Sequence, residues 1–160
     1  WNYKQELDWL LLKYPSHDSL REYCRALNFF YTENPELYEI DKSWDGFRWL
    51  NVDEKALSCI AFMRSGTSKT RHIVCACNFI PNENPHFTVG LPSDGELRLL
   101  LSSDEPRFGG SGAKTPSCVA AKSESFGEFP YSAVLSLPPL SCLYYEFIPT
   151  ERSNTDEKGV

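Results

Sequence analysis

Carboxyl pairs and histidines are the side chains that could do acid–base chemistry in this sequence. Hydrolysis or transfer at a glycosidic bond needs two carboxyl groups facing each other, about 5 to 5.5 Å apart in retaining enzymes. Glu6 and Asp8 are close in sequence, but nothing around them predicts burial, so we interpret them as a solvated pair. His17, His72 and His86 fall at a helix start, a strand edge and a loop, with no nucleophile and base recognisable together. The sequence therefore indicates no catalytic residues.

Six cysteines are the second set of reactive side chains. Cys24 lies on a helical stripe, whereas Cys59, Cys75, Cys77 and Cys142 lie in apolar strands, where cysteine behaves as a small hydrophobe. The spacing of Cys75-Ala76-Cys77 differs from the C-x-x-C of structural zinc sites. Residues i and i+2 of a strand share a face, so this pair could be redox-active, but the sequence shows no second cluster. We predict six free thiols, no metal site and no cofactor.

The glycine-rich stretch "FGGSG" at 108–112 resembles a phosphate-binding loop in composition only. It lacks the Lys-Ser/Thr pair that follows such a loop, and no helical pattern comes after it. We interpret it as a tight connection between strands.

Aromatic side chains in polar stretches are the remaining chemical signal, because flat apolar faces beside hydrogen-bonding groups hold pyranose rings. We predict Trp49, then Trp9 and Trp1, as carbohydrate-binding residues. In "GFRWLN" the alternation places Phe47 and Trp49 on one face of a strand, with Arg48 or Asn51 reaching sugar hydroxyls. The alternative is that Trp49 seals a helix against the sheet.

One long helix is predicted near the start of the chain, over residues 15–31. Its apolar stripe has the helical period and should be buried; it consists of Leu20, Tyr23, Cys24, Leu27, Phe30 and Tyr31. Ser19 and Glu22 have the spacing of a capping box, and Ser16 is a second candidate cap. Asn34 and Pro35 mark a short second helix or single turn.

From residue 46 the helical period is replaced by short runs of β-branched, aromatic and aliphatic residues separated by turns. The predicted strands are 47–52, 57–64, 72–79, 86–91, 96–102, 118–122, 132–137 and 141–148. This pattern predicts an antiparallel sandwich or barrel. We therefore divide the chain into a helical segment, 1–45, an all-β domain, 46–149, and a disordered tail, 150–160.

Composition restricts the possible partners. At 160 residues the chain suits one hydrophobic core, with 41% hydrophobic and 24% charged residues. A net charge of −6 argues against nucleic acids and anionic membranes, which both require a basic face. No apolar run approaches the roughly 20 residues of a spanning helix. We expect a protein with neither a nucleic-acid nor a membrane partner.

Six motifs follow one another along the chain to about residue 148: "WNYKQELDWLLLKYPSH", "YCRALNFFYTENPELYEID", "GFRWLNVDEKALSCIAFMR", "VCACNFIP", "RFGGSG" and "LSLPPLSCLYYE". Together and in this order they resemble the C-terminal part of bacterial glycogen branching enzymes, the 1,4-α-glucan branching enzymes of the α-amylase superfamily. Cys75 and Cys77 depart from the family, which usually has small or aliphatic residues there. The residues beyond Pro149 have no family pattern.

The resemblance implies a mostly β chain: an antiparallel Greek-key β-sandwich of the α-amylase C-terminal type, after one or two helices left from a catalytic (β/α)8 barrel. The family's catalytic carboxyls then lie upstream of residue 1, so the fragment is not itself an enzyme. It implies a cytoplasmic monomer that packs on the missing barrel and reaches α-1,4 glucan or glycogen through the parent enzyme. The alternative is an autonomous carbohydrate-binding module.

Overall fold

The computed structural model describes residues 2–54 and 56–150. Trp1 lies outside the described residues, and so does the predicted tail except for Thr150. The disordered tail and the domain boundary at residue 46 both stay predictions.

The predicted long helix is confirmed as α1, Pro15–Glu33. A 3-10 turn at Trp9–Lys13 precedes it, and a second at Pro35–Leu37 confirms the predicted single turn after Asn34. The predicted capping box is wrong, because α1 begins one turn earlier than Ser19. Its N-cap is Tyr14, without a side-chain hydrogen bond, and Pro15 occupies the first helical position, where its missing N–H costs nothing.

All eight predicted strands are present, with small shifts at their ends. They are β1 Phe47–Asn51, β2 Cys59–Ser65, β3 His72–Asn78, β4 Asn84–Leu91, β5 Gly95–Ser102, β6 Cys118–Ala120, β7 Tyr131–Leu137 and β8 Cys142–Pro149. Short 3-10 turns at Trp44–Gly46 and Pro106–Phe108 precede β1 and follow β5.

The strands form two antiparallel sheets that enclose one core. The larger sheet has the order β1-β2-β3-β8-β5-β6, and the smaller consists of β4 and β7. Side chains from both sheets fill the space between them; the fully buried ones include Val74, Ala76, Leu143, Tyr145, Phe147, Phe87, Val89 and Leu135. The predicted antiparallel sandwich is confirmed, and β3, apolar on both faces in the sequence, is central.

The segment before β1 is fastened to the sheet by charged and polar contacts. Arg64 on β2 donates to the carbonyl of Leu37 and pairs with Asp41. The Glu39 carboxylate accepts hydrogen bonds from the backbone and side chain of Thr67, in the turn after β2. Residues 34–41 therefore pack on the β2–β3 hairpin.

Helix α1 covers its neighbours with only part of its predicted apolar stripe. The ring of Phe30 lies 5.1 Å from that of Tyr144 on β8, and Tyr23 lies 5.2 Å from Phe108. The predicted burial of Leu20, Cys24 and Tyr31 is wrong: all three are exposed, Leu20 by 60%. The apolar stripe is wider than the surface on which α1 packs. Only its central residues, such as Tyr23 and Phe30, contact the β domain. Among the described residues, no helix is long and apolar enough to cross a membrane.

Candidate functional site

An aromatic cluster lies on the outer face of the larger sheet, the face turned away from the sandwich core. Trp49 of β1 pairs with Phe62 of β2, and Phe47 pairs with Arg64, so the side chains of these four residues share one face. The rings of Phe47 and Trp49 are 4.9 Å apart and perpendicular, and Phe47 stacks on Phe62 at 5.4 Å. The predicted sharing of a face by Phe47 and Trp49 is confirmed.

A groove of about 460 Å³ runs along this cluster. Its lining combines aromatic rings with charged and hydroxyl groups: Asp41, Lys42, Ser43, Trp44, Phe47, Trp49 and Arg64. Trp49 is 46% exposed, so part of its indole is free to contact a ligand. Flat apolar surface beside convergent polar groups is the arrangement that suits a sugar chain.

Trp44 is the groove residue that sequence analysis missed. It is 82% exposed and meets the edge of Phe47 at 6.2 Å. Ser43 caps the 3-10 turn that carries it, accepting a hydrogen bond from the backbone of Asp45, so the turn projects Trp44 outward. Its polar surroundings, "DKSWDG", are the signal that would have indicated it.

The polar partners predicted for Trp49 are wrong. Asn51 is buried and donates to the carbonyl of Thr88 at 2.7 Å, because the chain shifts register between Trp49 and Asn51. Arg48 points to the opposite face, where its guanidinium lies over the ring of Phe129. The polar groups on the aromatic side of the sheet instead come from the segment before β1, as Asp41, Lys42 and Ser43.

Trp9, the other predicted tryptophan that the structure describes, is not part of the groove lining. Trp9 lies in the first 3-10 turn, is 64% exposed and belongs to a different stretch of surface from the groove. Trp1 is outside the described residues. The alternative in which Trp49 seals the helix gains no support, since its aromatic neighbours, Phe47 and Phe62, are both on the sheet.

The carboxylates and histidines form no glycosidic centre in the part of the chain that the structure describes. Asp8 accepts a hydrogen bond from the backbone of Leu10 and caps the 3-10 turn, and Glu6 is exposed. Hairpin register brings Ser65 within 2.8 Å of His72 Nδ1, a pair that sequence reasoning missed. Burial lowers the pKa of His72 and keeps the ring neutral. A seryl nucleophile would also need an oriented base and an oxyanion site, so we interpret this pair as a cross-strand hydrogen bond.

Three cysteines meet on the same outer face, beneath α1. Cys142 of β8 pairs directly with Cys77 of β3, and its sulfur lies 3.0 Å from that of Cys77 and 3.3 Å from that of Cys75. The expectation that no further cysteine joins Cys75 and Cys77 is therefore wrong. Hydrogen bonds from Cys75 and Cys77 lower the pKa of Cys142 below the usual value of a thiol. All six cysteines are free thiols in the structure.

Known proteins similar to this chain are 1,4-alpha-glucan branching enzymes named GlgB. The relative from Halothermothrix orenii is 36% identical over 146 residues, which are 91% of this chain and 23% of the relative. The one from Gloeobacter violaceus is also 36% identical over 146 residues, 91% of this chain and 20% of the relative. The one from Clostridium perfringens is 37% identical over 145 residues, 89% and 22% respectively. The chain thus spans about a fifth of the length of these relatives.

The domain family described as "Alpha amylase, C-terminal all-beta domain" matches residues 49–148, which begin within β1 and end within β8. That range contains the two sheets and the core between them. The chain therefore belongs to the family of alpha amylase C-terminal all-beta domains.

Proposed function

We propose that this chain is a non-catalytic part of a 1,4-α-glucan branching enzyme, where it supports the catalytic portion and offers an accessory surface for glucan. The observation that carries the proposal is the 36% identity with named branching enzymes over 91% of the chain. The complete enzyme would transfer α-1,4 glucan segments to form α-1,6 branches in cytoplasmic glycogen. The chain's own contribution is structural, with no nucleic acid or membrane involved.

Exposed apolar side chains before and along α1 support the scaffold role. Leu7, Trp9, Leu10 and Leu20 are all more than half exposed. A run of large apolar residues on one segment favours an interface, since single exposed residues are common but clusters are not. We propose that this surface packs against the catalytic portion.

This interface has a comparative test. Replacing Leu7 and Leu10 together by serine should leave the melting temperature of this chain nearly unchanged, because both residues are already in water here. The same replacements in a branching enzyme that contains this sequence should lower its melting temperature by several degrees. If the replacements changed the melting temperatures of the two proteins equally, or changed neither, the proposed interface would be contradicted.

The groove along Trp44 and Trp49 supports the accessory glucan contact. The indoles of Trp44 and Trp49, which are 82% and 46% exposed, offer stacking surfaces to one oligosaccharide. The hydroxyl of Ser43 and the ammonium group of Lys42 offer hydrogen bonds beside them. Such a contact would be weak, because the groove is open and polar groups must give up water on binding.

Titration with maltoheptaose, followed by tryptophan fluorescence, tests the groove. We expect millimolar-range binding by the intact chain, lost in Trp49→Ala and in Trp44→Ala while their melting temperatures change little. Trp9→Ala is the matched control, because Trp9 is exposed but lies away from the groove. Equal loss in Trp9→Ala, or no saturable signal from the intact chain, would remove the groove from the proposal.

An autonomous carbohydrate-binding module is the second candidate, favoured by the same groove. It differs from the first in needing no interface along α1, so the leucine replacements above separate the two. The absence of catalysis is tested by incubating the chain with amylose and recording the absorbance of the iodine complex. We expect no change; a fall that scales with protein and survives repurification would overturn this part of the proposal.

A further inference from the structure

Strand pairing brings Cys75, Cys77 and Cys142 together, although 65 residues separate Cys77 from Cys142. Cys75 and Cys77 alternate with Val74 and Ala76, which point into the sandwich core, so both thiols point out. Cys142 is the cross-strand partner of Cys77 and shares that face. The three sulfur atoms are 3.0, 3.3 and 3.8 Å apart, a triangle on two adjacent strands of a rigid sheet.

The size of this triangle indicates the coordination geometry of an ion bound to it. A circle through the three sulfur atoms has a radius of about 2.0 Å, less than the Zn–S bond length of about 2.3 Å. An ion at bonding distance therefore lies about 1.2 Å out of the sulfur plane. Such an ion has pyramidal coordination by the three sulfur atoms and one position left for a fourth ligand, as in four-coordinate zinc. The sulfur triangle is too small to hold a three-coordinate ion in its plane.

Charge and surroundings also favour a divalent ion. Three thiolates with a divalent ion carry a net charge of −1, whereas a monovalent ion would leave −2 in a partly buried place. Tyr144 is paired with Cys75, so its side chain lies on the same face of the sheet as the three sulfur atoms. Phe30 of α1 packs on Tyr144. An aromatic cover of this kind limits the access of solvent to a metal site.

We propose that Cys75, Cys77 and Cys142 form a site for a single divalent, thiophilic ion of the Zn²⁺ type, bound as three thiolates with a solvent-derived fourth ligand. Binding forms three metal–sulfur bonds and releases to solvent the proton of each thiol that is not already ionised. No electron is transferred. Cys77 and Cys142 are only partly buried, which leaves the ion a path of entry. The ion would join β3 to β8 under the helix. The proposal is independent of the proposed function.

The test uses the reduced, chelator-treated chain and Cd²⁺, which reports thiolate ligands through a charge-transfer absorption in the ultraviolet. We expect the absorbance to saturate at one equivalent, Zn²⁺ to abolish it by competition, and the melting temperature to rise with metal concentration. Alkylation mapped by mass spectrometry should show Cys77 and Cys142 protected by the metal, while Cys24 and Cys118 react as before.

Single variants assign the ligands. Cys77→Ser and Cys142→Ser should each weaken Cd²⁺ binding by more than about 100-fold, beyond what loss of an outer group costs. Cys24→Ser and Cys118→Ser are matched controls, because both thiols are exposed and outside the cluster, and should bind like the original chain. A reduced chain that takes up no Cd²⁺, that saturates at another ratio, or that leaves Cys77 and Cys142 equally reactive would overturn the proposal. This last readout needs no variant to fold.

Discussion

Arg71 binds Glu36 through both carboxylate oxygens, with Nη1 3.1 Å from Oε1 and 3.1 Å from Oε2. The same guanidinium donates to Glu146 on β8 at 2.8 Å and to the side-chain oxygen of Asn34 at 2.7 Å. Glu36 and Asn34 are buried and belong to the turn that follows α1. One residue just before β3 therefore connects the helical segment to the centre of the larger sheet.

Replacing Arg71 by methionine should destabilise the chain by about 2 to 4 kcal/mol, because it leaves the Glu36 carboxylate buried without its partner. Chemical unfolding measures this loss. Arg21→Met is the control, since Arg21 pairs with Asp18 at the surface, where such pairs contribute about 0 to 1 kcal/mol. Equal effects of the two replacements would show that the Arg71 network does not hold the segment.

Asp104 anchors the glycine-rich loop that follows the Pro106–Phe108 turn. Its carboxylate accepts hydrogen bonds from the backbone of Ser111 and Ala113, each at 2.8 Å, and from the Ser111 hydroxyl. Asp104→Asn turns one acceptor oxygen into a donor facing N–H groups. We expect a loss of about 2 to 3 kcal/mol, read from chemical unfolding, whereas Glu124→Gln at an exposed site should change little. A loss below the experimental error would contradict the anchoring role.

The same carboxylate predicts a dependence of stability on pH. Burial by itself would raise the pKa of Asp104, but hydrogen bonds from the Ser111 and Ala113 backbone outweigh it and lower the pKa below its ordinary value. Stability from this group is therefore present above the unfolded pKa of about 3.9 and falls as pH drops through the folded pKa. Unfolding free energies between pH 6 and pH 3 should decline less steeply for Asp104→Asn. Parallel declines would show that Asp104 does not titrate as stated.

Strand positions could be predicted from the sequence because alternation is a local property. The side chains of Phe87, Val89 and Leu91 are buried in the structure as their two-residue period requires. The width of the buried stripe on α1 could not be predicted in this way. A helical period marks an apolar face, but it does not indicate how much of that face the β domain covers. The predicted burial of Leu20 is wrong for this reason.

The candidate sites depend on strand order, which local patterns do not contain. Cys142 joins Cys77 only because β8 lies beside β3 after four intervening strands. Trp49 was identified from its surroundings, but its neighbour Phe62 comes from a different strand and Trp44 from a turn. The predicted role of Asn51 failed for a similar reason, since the register shift after Trp49 turns that amide toward Thr88.

Tyr145 carries a hydroxyl that has no hydrogen-bond partner among the described residues, although the side chain is fully buried. Burial raises its pKa and keeps it neutral. Tyr145→Phe removes the unpaired group without changing the ring, so we expect unchanged stability or a gain of up to about 1 kcal/mol. Phe147→Ala, also in the core, should instead cost about 3 to 5 kcal/mol. Calorimetry on both variants measures these changes in stability. A clear loss of stability in Tyr145→Phe would show that the Tyr145 hydroxyl has a hydrogen-bond partner.

The stability that packing of α1 contributes should come from the residues that contact the β domain and not from the rest of its apolar stripe. Phe30 packs on Tyr144, whereas Leu20 is 60% exposed. Phe30→Ala removes ring contacts at the interface and should lower stability by about 2 kcal/mol. Leu20→Ala removes almost no buried surface and should change it by less than about 0.5 kcal/mol. Limited proteolysis separates local from global effects: Phe30→Ala should speed cleavage within residues 15–33 more than in the strands. If Leu20→Ala were as damaging as Phe30→Ala, the full apolar stripe would have to be buried in solution, and α1 would contact the β domain along more than the part that contains Phe30.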